Sequence, residues 1–225
     1  MARKKGKGGG KRKRSQQRAQ YDELDKYPVI PPHAFARIVR DKQTLNILYQ
    51  IIEPPMTKKE QEQREEIMDI FIRSLTANIE EIDADPDAYL RTALDKVIKS
   101  YGMKINKKSK SKMFYYLRRD LIGYGKMDMM MHDINVEDIS LDGTNVPIFA
   151  YHRKFESVET TCVWETDAEL ESYVIKLAQR CGKHISVAEP LLDATLMDGS
   201  RIVMKLGREI STRGSAFCIR RFKDD

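Results

Sequence analysis

The sequence predicts an α+β fold in which a helical segment precedes an α/β segment with a mainly antiparallel sheet. Three observations carry that expectation. Apolar residues recur at helical spacing between residues 56 and 122, as Ile67, Ile70, Phe71 and Leu75, and again as Leu90, Leu94, Val97 and Ile98. From residue 123 to 225, strand-like runs are separated by glycine-containing turns and by one further helical run. The first twenty residues carry nine Lys/Arg, no Asp/Glu and several glycines. The expected organisation is a disordered basic tail over 1–20, a hairpin or extended lead-in over 21–55, a three-helix subdomain over 56–122 and an α/β domain over 123–225.

The 225 residues suit one large domain or two small ones, and the 41% hydrophobic content can supply a core. The longest apolar runs fall far short of the roughly 20 residues that cross a bilayer. No apolar stretch follows the basic start, so neither a transmembrane helix nor a secretory leader is expected. The net charge of +6 belongs to the tail: without residues 1–20 the chain has 31 basic and 34 acidic residues, a net of −3.

The tail, MARKKGKGGGKRKRSQQRAQ, cannot bury apolar surface. Three roles compete: a solvated tail, a contact with anionic lipid headgroups, or a contact with nucleic-acid phosphates. No aromatic residue precedes Tyr21, so base stacking has no platform and nucleic acid is not expected as a partner. In the lead-in, Phe35–Val39 and Thr44–Ile52 flank Asp41-Lys42-Gln43, which suits a turn; a short helix over the second run is the alternative. Glu53-Pro54-Pro55 ends this unit.

Thr57 and Glu60 have capping-box spacing at the start of the first helix. Asp85-Pro86 opens the second, which Gly102 stops. A third is expected from Ser109 or Ser111, carrying Met113, Leu117 and Leu121. Lys104, Lys107, Lys108, Lys110 and Lys112 lie at its start, where a helix disfavours cations. They read either as solvated lysines or as a docking surface for an acidic partner.

In the α/β part, VEDISLD, VPIFAYHR and the run from Ser157 to Trp164 read as strands. Asp167 opens a helix with Leu170, Tyr173, Val174 and Leu177 on its buried face. A sheet covered on one side by helices follows from the need to bury one apolar face. Met127, Met129, Met130 and Met131 could in principle bind copper(I), but they are read as packing filler. Cys162, Cys181 and Cys218 are widely spaced and the four histidines are scattered, so small buried thiols are expected and neither disulfides nor a metal site.

The segment from His184 to Phe222 carries most of the functional information. Two strand-like runs, Arg201–Leu206 and Ser215–Phe222, flank a polar link, with Arg201, Arg208, Arg213, Arg220 and Arg221 in and around them. Guanidinium forks suit phosphate; the plain alternative is a basic hairpin with solvated arginines. The words YGKMDMMMHDINVEDISLDG, followed by VPIFAYHRK, then GKHISVAEPLLDATLMDGSRI and LGREISTRGSAFCIRRF, stand in that order along the chain. Over these words the sequence resembles the N-terminal region of archaeal secretion ATPases, the motors of the archaellum and of archaeal type IV pili within the type II and type IV secretion ATPase superfamily. The resemblance covers residues 121–222 strongly and the helical part more weakly.

That resemblance implies a PAS-like α/β domain after a helical subdomain, followed in the full-length protein by a RecA-like motor domain. It implies a homo-hexamer that binds ATP and Mg, works with a polytopic membrane platform protein and other motor-complex subunits, and sits in the cytoplasm at the inner face of the cell membrane. Anionic membrane met through residues 1–20 is a further candidate partner. The nucleotide-contacting positions that match are Arg201, Arg208 and Arg213, with Arg221 a weaker match; Glu189 and Asp193 match too and read as charges that orient those arginines. No P-loop is present: Gly10-Lys11 is followed by arginine and Gly182-Lys183 by histidine, and neither has the leading glycine. The chain is therefore expected to be inactive alone, with no catalytic residue, metal or cofactor of its own. A membrane-docking adaptor without a nucleotide role is the rival reading.

Overall fold

A computed structural model describes residues 20–74, 85–208 and 212–222. Residues 1–19 of the basic tail, Leu75 and residues 209–211 lie outside that set. Two compact units emerge, a helical one from residues 30–34 and 53–131, and a sheet unit from the described remainder.

The helical unit is built on α1 (Lys58–Ser74), α2 (Pro86–Ser100) and α3 (Lys107–Leu117). Ile67, Phe71, Leu90, Leu94, Met113 and Leu117 form its core, one stripe from each helix, as the apolar spacing requires. α1 starts with the expected capping box: the Thr57 amide donates to Glu60 Oε2 at 2.7 Å and the Glu60 amide to Thr57 Oγ1 at 3.2 Å. Asp85 caps α2 by accepting from the Ala88 amide at 2.9 Å, with Pro86 in the first turn. α3 begins at Lys107, earlier than Ser109 or Ser111, because Asn106 takes the cap and accepts from the Ser109 amide at 2.9 Å. The Ser109 hydroxyl is thereby left to reach Glu60 Oε1 at 2.7 Å. Met127, Met129, Met130 and Met131, around the short α4 (Asp128–His132), are all buried, in keeping with a packing role.

Glu60 thus ties α1 to α3, since Lys112 Nζ also reaches both its oxygens, at 3.1 and 3.2 Å. Its carboxyl is held down at about 2, first by the Thr57 amide and then by the Ser109 hydroxyl. A carboxyl whose folded pKa is depressed stabilises the fold above its ordinary value near 4.5, and that contribution fades as the pH falls toward about 2. Glu60→Gln is expected to cost about 2 kcal/mol at neutral pH, the loss of hydrogen bonds to a charged group. Urea unfolding at pH 7 and pH 3 checks this, because the wild-type advantage must shrink at the lower pH.

The second unit holds one nine-stranded sheet in the order β1-β2-β3-β6-β5-β4-β9-β8-β7. Its strands are β1 (Tyr21–Ile30), β2 (Ala34–Asp41), β3 (Ile47–Ile52), β4 (Val136–Asp142), β5 (Pro147–His152), β6 (Glu156–Val163), β7 (Leu191–Thr195), β8 (Arg201–Lys205) and β9 (Ala216–Arg220). The sheet is mainly antiparallel: β2–β3, β4–β5, β4–β9, β5–β6, β7–β8 and β8–β9 all pair so, while β3–β6 is parallel. The fold is α+β, as the periodicities predict. β2 and β3 form the expected hairpin and, through β6, join the main sheet.

Ile139, Leu141, Ala150, Val158, Ile202, Met204, Phe217 and Ile219 face inward. Leu170, Val174, Leu177 and Ala178 of α5 (Asp167–Arg180) are buried, and Trp164 packs edge-on to Phe217 at 5.9 Å between centroids. The alternate residues Phe149, Tyr151 and Val203 point the other way and are exposed. The same alternation corrects one expectation: Cys162 is buried, but Cys218 lies between inward-facing Phe217 and Ile219 and is exposed.

Candidate functional site

The β8–β9 connection is where the sheet presents arginines. β8 and β9 pair in register from Arg201↔Arg220 to Lys205↔Ala216. Gly207, at φ +78°, and Gly214, at φ +97°, mark the two ends of the loop with backbone that other residues adopt at a cost. The Gly207 amide donates to Ser215 Oγ at 2.8 Å and closes its neck. Arg208 and Arg213 sit inside that neck, with side chains 62% and 66% exposed.

The β4–β5 turn braces this loop. The Thr144 amide donates to the Arg213 carbonyl at 3.2 Å. A Cβ on Gly143 would lie 2.2 Å from that same oxygen, so only glycine allows the approach. Asp167, the first residue of α5, holds the other side: Arg208 Nε donates to its Oδ2 at 2.7 Å and Thr144 Oγ1 to its Oδ1 at 2.8 Å. Arg208 keeps the Asp167 carboxyl below its usual range, and Asp167 raises Arg208 in turn. Arg213 Nη1 lies 4.0 Å from Asp142 Oδ2. Arg208 is therefore gripped through Nε, with no hydrogen bond to its two terminal nitrogens among the described residues, and Arg213 is only loosely held.

The other matched arginines are elsewhere. Arg201 starts β8, about 13 Å along the strand from Lys205 at some 3.3 Å per residue. Its Nη2 is 3.4 Å from each carboxyl oxygen of Asp193, so Asp193 orients it as expected. Arg220, opposite Arg201, is balanced by Asp138 at 3.1 Å. Glu189 instead shapes its own turn: its amide donates to Ser186 Oγ and its carbonyl accepts from the Ser186 amide, both at 3.2 Å, and among the described residues its carboxyl pairs with none of these arginines. Arg221 is turned inward: Nη1 donates to the carbonyls of Asp133 and of Val136, the latter at 2.9 Å. The structure brings Arg208 and Arg213 together, sets Arg201 at the far end of β8 and gives Arg221 a structural task.

A second polar cluster is buried under β1 and β3. Tyr27 and Tyr49 both donate to Asp133 Oδ2, at 2.7 and 2.6 Å, and the Asn135 amide donates to Oδ1 at 2.9 Å. The Lys154 amide donates to His152 Nδ1 at 3.1 Å, which places the imidazole proton on Nε2, 3.0 Å from the Tyr27 oxygen. Every polar atom named is satisfied, which marks a structural network. Burial, and then Asp133 beside them, push both phenols up. Burial also lowers the pKa of His152. The unfolded chain then takes up the proton first as pH falls, so His152 stabilises the fold above about 6.5 and loses that contribution below it. His152→Gln is expected to flatten the stability profile between pH 7 and pH 5, read as the urea midpoint at each pH.

Among the described residues no group of three or more His, Cys, Asp or Glu could hold a metal ion. No helix among them is long and apolar enough to cross a membrane.

No protein-family profile matches the chain. It is 40% identical over 164 residues to an uncharacterised protein of Methanocaldococcus jannaschii, covering 72% of this chain and 65% of that protein. A second uncharacterised protein of the same organism is 31% identical over 203 residues, 88% of this chain and 36% of that protein. A third is 33% identical over 110 residues, 48% and 15% respectively. The chain thus spans about two thirds of the first and about a third of the second. Among solved structures, the VirB11 ATPase of the Brucella suis type IV secretion system, in complex with sulphate, aligns at 16% identity with a TM-score of 0.37, over 49% of this chain and 32% of that one. A likeness of that size carries no argument.

Proposed function

We propose that this chain is the N-terminal regulatory and oligomerising region of a secretion ATPase, and that it lends Arg208 and Arg213 to a nucleotide site completed by a motor domain elsewhere in the protein. The observation that carries this reading is two exposed guanidiniums on one loop, whose backbone meets Gly143 and Thr144 at Arg213 and whose Arg208 is oriented by Asp167. Such a pair fits a polyphosphate: the forks are exposed, one is oriented by a fixed carboxyl, and the first turn of α5 lies beside them. When bound, ATP with Mg supplies the phosphoryl group. The arginines bind its charge and hold its orientation, which is most of what phosphoryl transfer asks of a protein.

On this reading the protein is a hexamer that powers archaellum or pilus assembly, or secretion, at the cytoplasmic face of the membrane, docked on a polytopic platform protein. ATP turnover by the complete gene product tests it, with this chain alone expected to be inactive. A complete protein that neither binds nor hydrolyses ATP overturns it. The rival, a docking adaptor with no nucleotide role, draws on the exposed Phe149, Tyr151 and Val203 of the open sheet face. It predicts normal behaviour after loss of both arginines.

A further inference from the structure

Positive charge is concentrated at one corner of the helical unit. Residues 96–119 hold nine Lys/Arg and no Asp/Glu. Four of the nine are neutralised: Lys110 by Asp95, Lys112 by Glu60 at 3.1 Å, Arg118 by Asp87 at 2.8 Å and Arg119 by Glu53 at 2.8 Å. The other five, Lys96, Lys99, Lys104, Lys107 and Lys108, are exposed and have no ion pair among the described residues. They surround the α2–α3 corner, whose Tyr101 is 60% exposed. Lys107 and Lys108 occupy the first turn of α3, where the helix dipole repels them, so the fold itself gains nothing from their charge.

The matching anions are on α1. Glu62, Glu65, Glu66 and Asp69 recur at i, i+3, i+4 and i+7, which places them on one face, away from Ile67 and Phe71 in the core. All four are exposed and without an ion pair among the described residues. The stripe runs toward Ile72, itself 61% exposed. Four carboxylates beside an exposed aliphatic residue thus face outward on one element, and five ammonium groups around an exposed tyrosine on two others.

We propose that the basic α2–α3 corner of one copy docks on the acidic α1 stripe of a second copy. Charge complementarity selects that occupant: the patches are opposite in sign, and each carries one exposed apolar residue, Tyr101 on the corner and Ile72 beside the stripe. Because the patches are different surfaces of the same unit, the contact is head-to-tail, and successive copies close a ring or extend a chain. It rests on the oligomerising role proposed above and names a contact surface for it; because it needs no nucleotide site, its failure leaves the arginine loop to be judged by ATP turnover alone.

Charge reversal in the full chain tests it, with association read by sedimentation velocity over a concentration series. One variant carries Lys104→Glu, Lys107→Glu and Lys108→Glu; the other carries Glu62→Lys, Glu65→Lys and Glu66→Lys. Wild type is expected to associate at low salt and to dissociate at high salt, as the screening length falls from about 10 Å at 0.1 M to about 3 Å at 1 M. Each reversal alone weakens association about tenfold or more, as three exposed pairs become repulsive. Mixing the two variants, or joining all six changes in one chain, restores it. Unfolding midpoints confirm that the variants are folded; glutamates in the first turn of α3 suit its dipole. A wild type that stays monomeric at low salt overturns the proposal, as does failure of the mixture to recover. Loss of association in the α1 variant alone also overturns it, because the stripe would then bind something other than the lysine corner, such as the basic tail.

Discussion

Alanine at Arg208 or Arg213 in the complete gene product is expected to lower ATP turnover about a thousandfold or more, with the melting temperature nearly unchanged. An arginine that reaches transferring phosphates contributes on that scale. A surface ion pair does not: with arginine side chains 62% and 66% exposed, Arg208–Asp167 and Arg213–Asp142 are screened by solvent and should contribute little to stability. The two roles therefore move different observables, turnover in one case and the unfolding midpoint in the other, and both are measured on the same purified variants. Arg208→Lys is the finer probe. Lysine keeps the charge but loses the fork and the Nε contact to Asp167, so turnover should remain well below wild type. Full activity in Arg208→Lys would reduce the role to general charge. Near-normal turnover in both alanine variants and in the double variant would remove the loop from the nucleotide site and favour the adaptor reading.

The helical unit was legible because each of its determinants is local. The Thr57–Glu60 capping box, the Asp85-Pro86 start and the apolar stripes all lie within one or two turns of one another, where spacing alone decides the outcome. The start of α3 was missed by two or four residues because Asn106, Ser109 and Ser111 can each cap, and only the pull of Glu60 on Ser109 decides among them. β1 and β7 escaped notice for a different reason. β1 is an edge strand whose residues include Asp22, Glu23, Asp25 and Lys26, so the charges that protect an edge also blur its alternation. β7, LLDAT, is only five residues long.

At the candidate site, arginine chemistry was visible and arginine geometry was not. The turn between the two strands already pointed to Arg208 and Arg213, and Arg221 was the weaker match, but spacing could not say what holds each arginine, because that depends on which strand end it occupies and which face it takes. Asp167 and Thr144, which brace Arg208, stand 41 and 64 positions before it; Asp167 read only as a helix opener. Asp133 gave no signal at all, since its tyrosine partners are 106 and 84 positions away.

Asp133→Ala should be the most damaging single change to the stability of the sheet unit, costing about 3 kcal/mol or more. Asp133 is 1% exposed and Tyr49 is fully buried, so the Tyr49 hydroxyl would lose its acceptor where water cannot replace it. An orphaned buried donor costs about 1–3 kcal/mol. The Asn135 amide loses its acceptor as well, while Tyr27 keeps its contact with His152. Tyr49→Phe, which removes the donor together with its need, should cost only about 1 kcal/mol. The decisive comparison is the double-mutant cycle in urea. In the Tyr49→Phe background, Asp133→Ala should cost at least about 1 kcal/mol less than in wild type, because the principal orphan is already gone. Strict additivity would mean that the two residues do not share the bond on which the prediction rests. A loss below about 0.5 kcal/mol for Asp133→Ala alone would place it with ordinary surface substitutions, which a side chain shared by two tyrosines and a backbone amide cannot be.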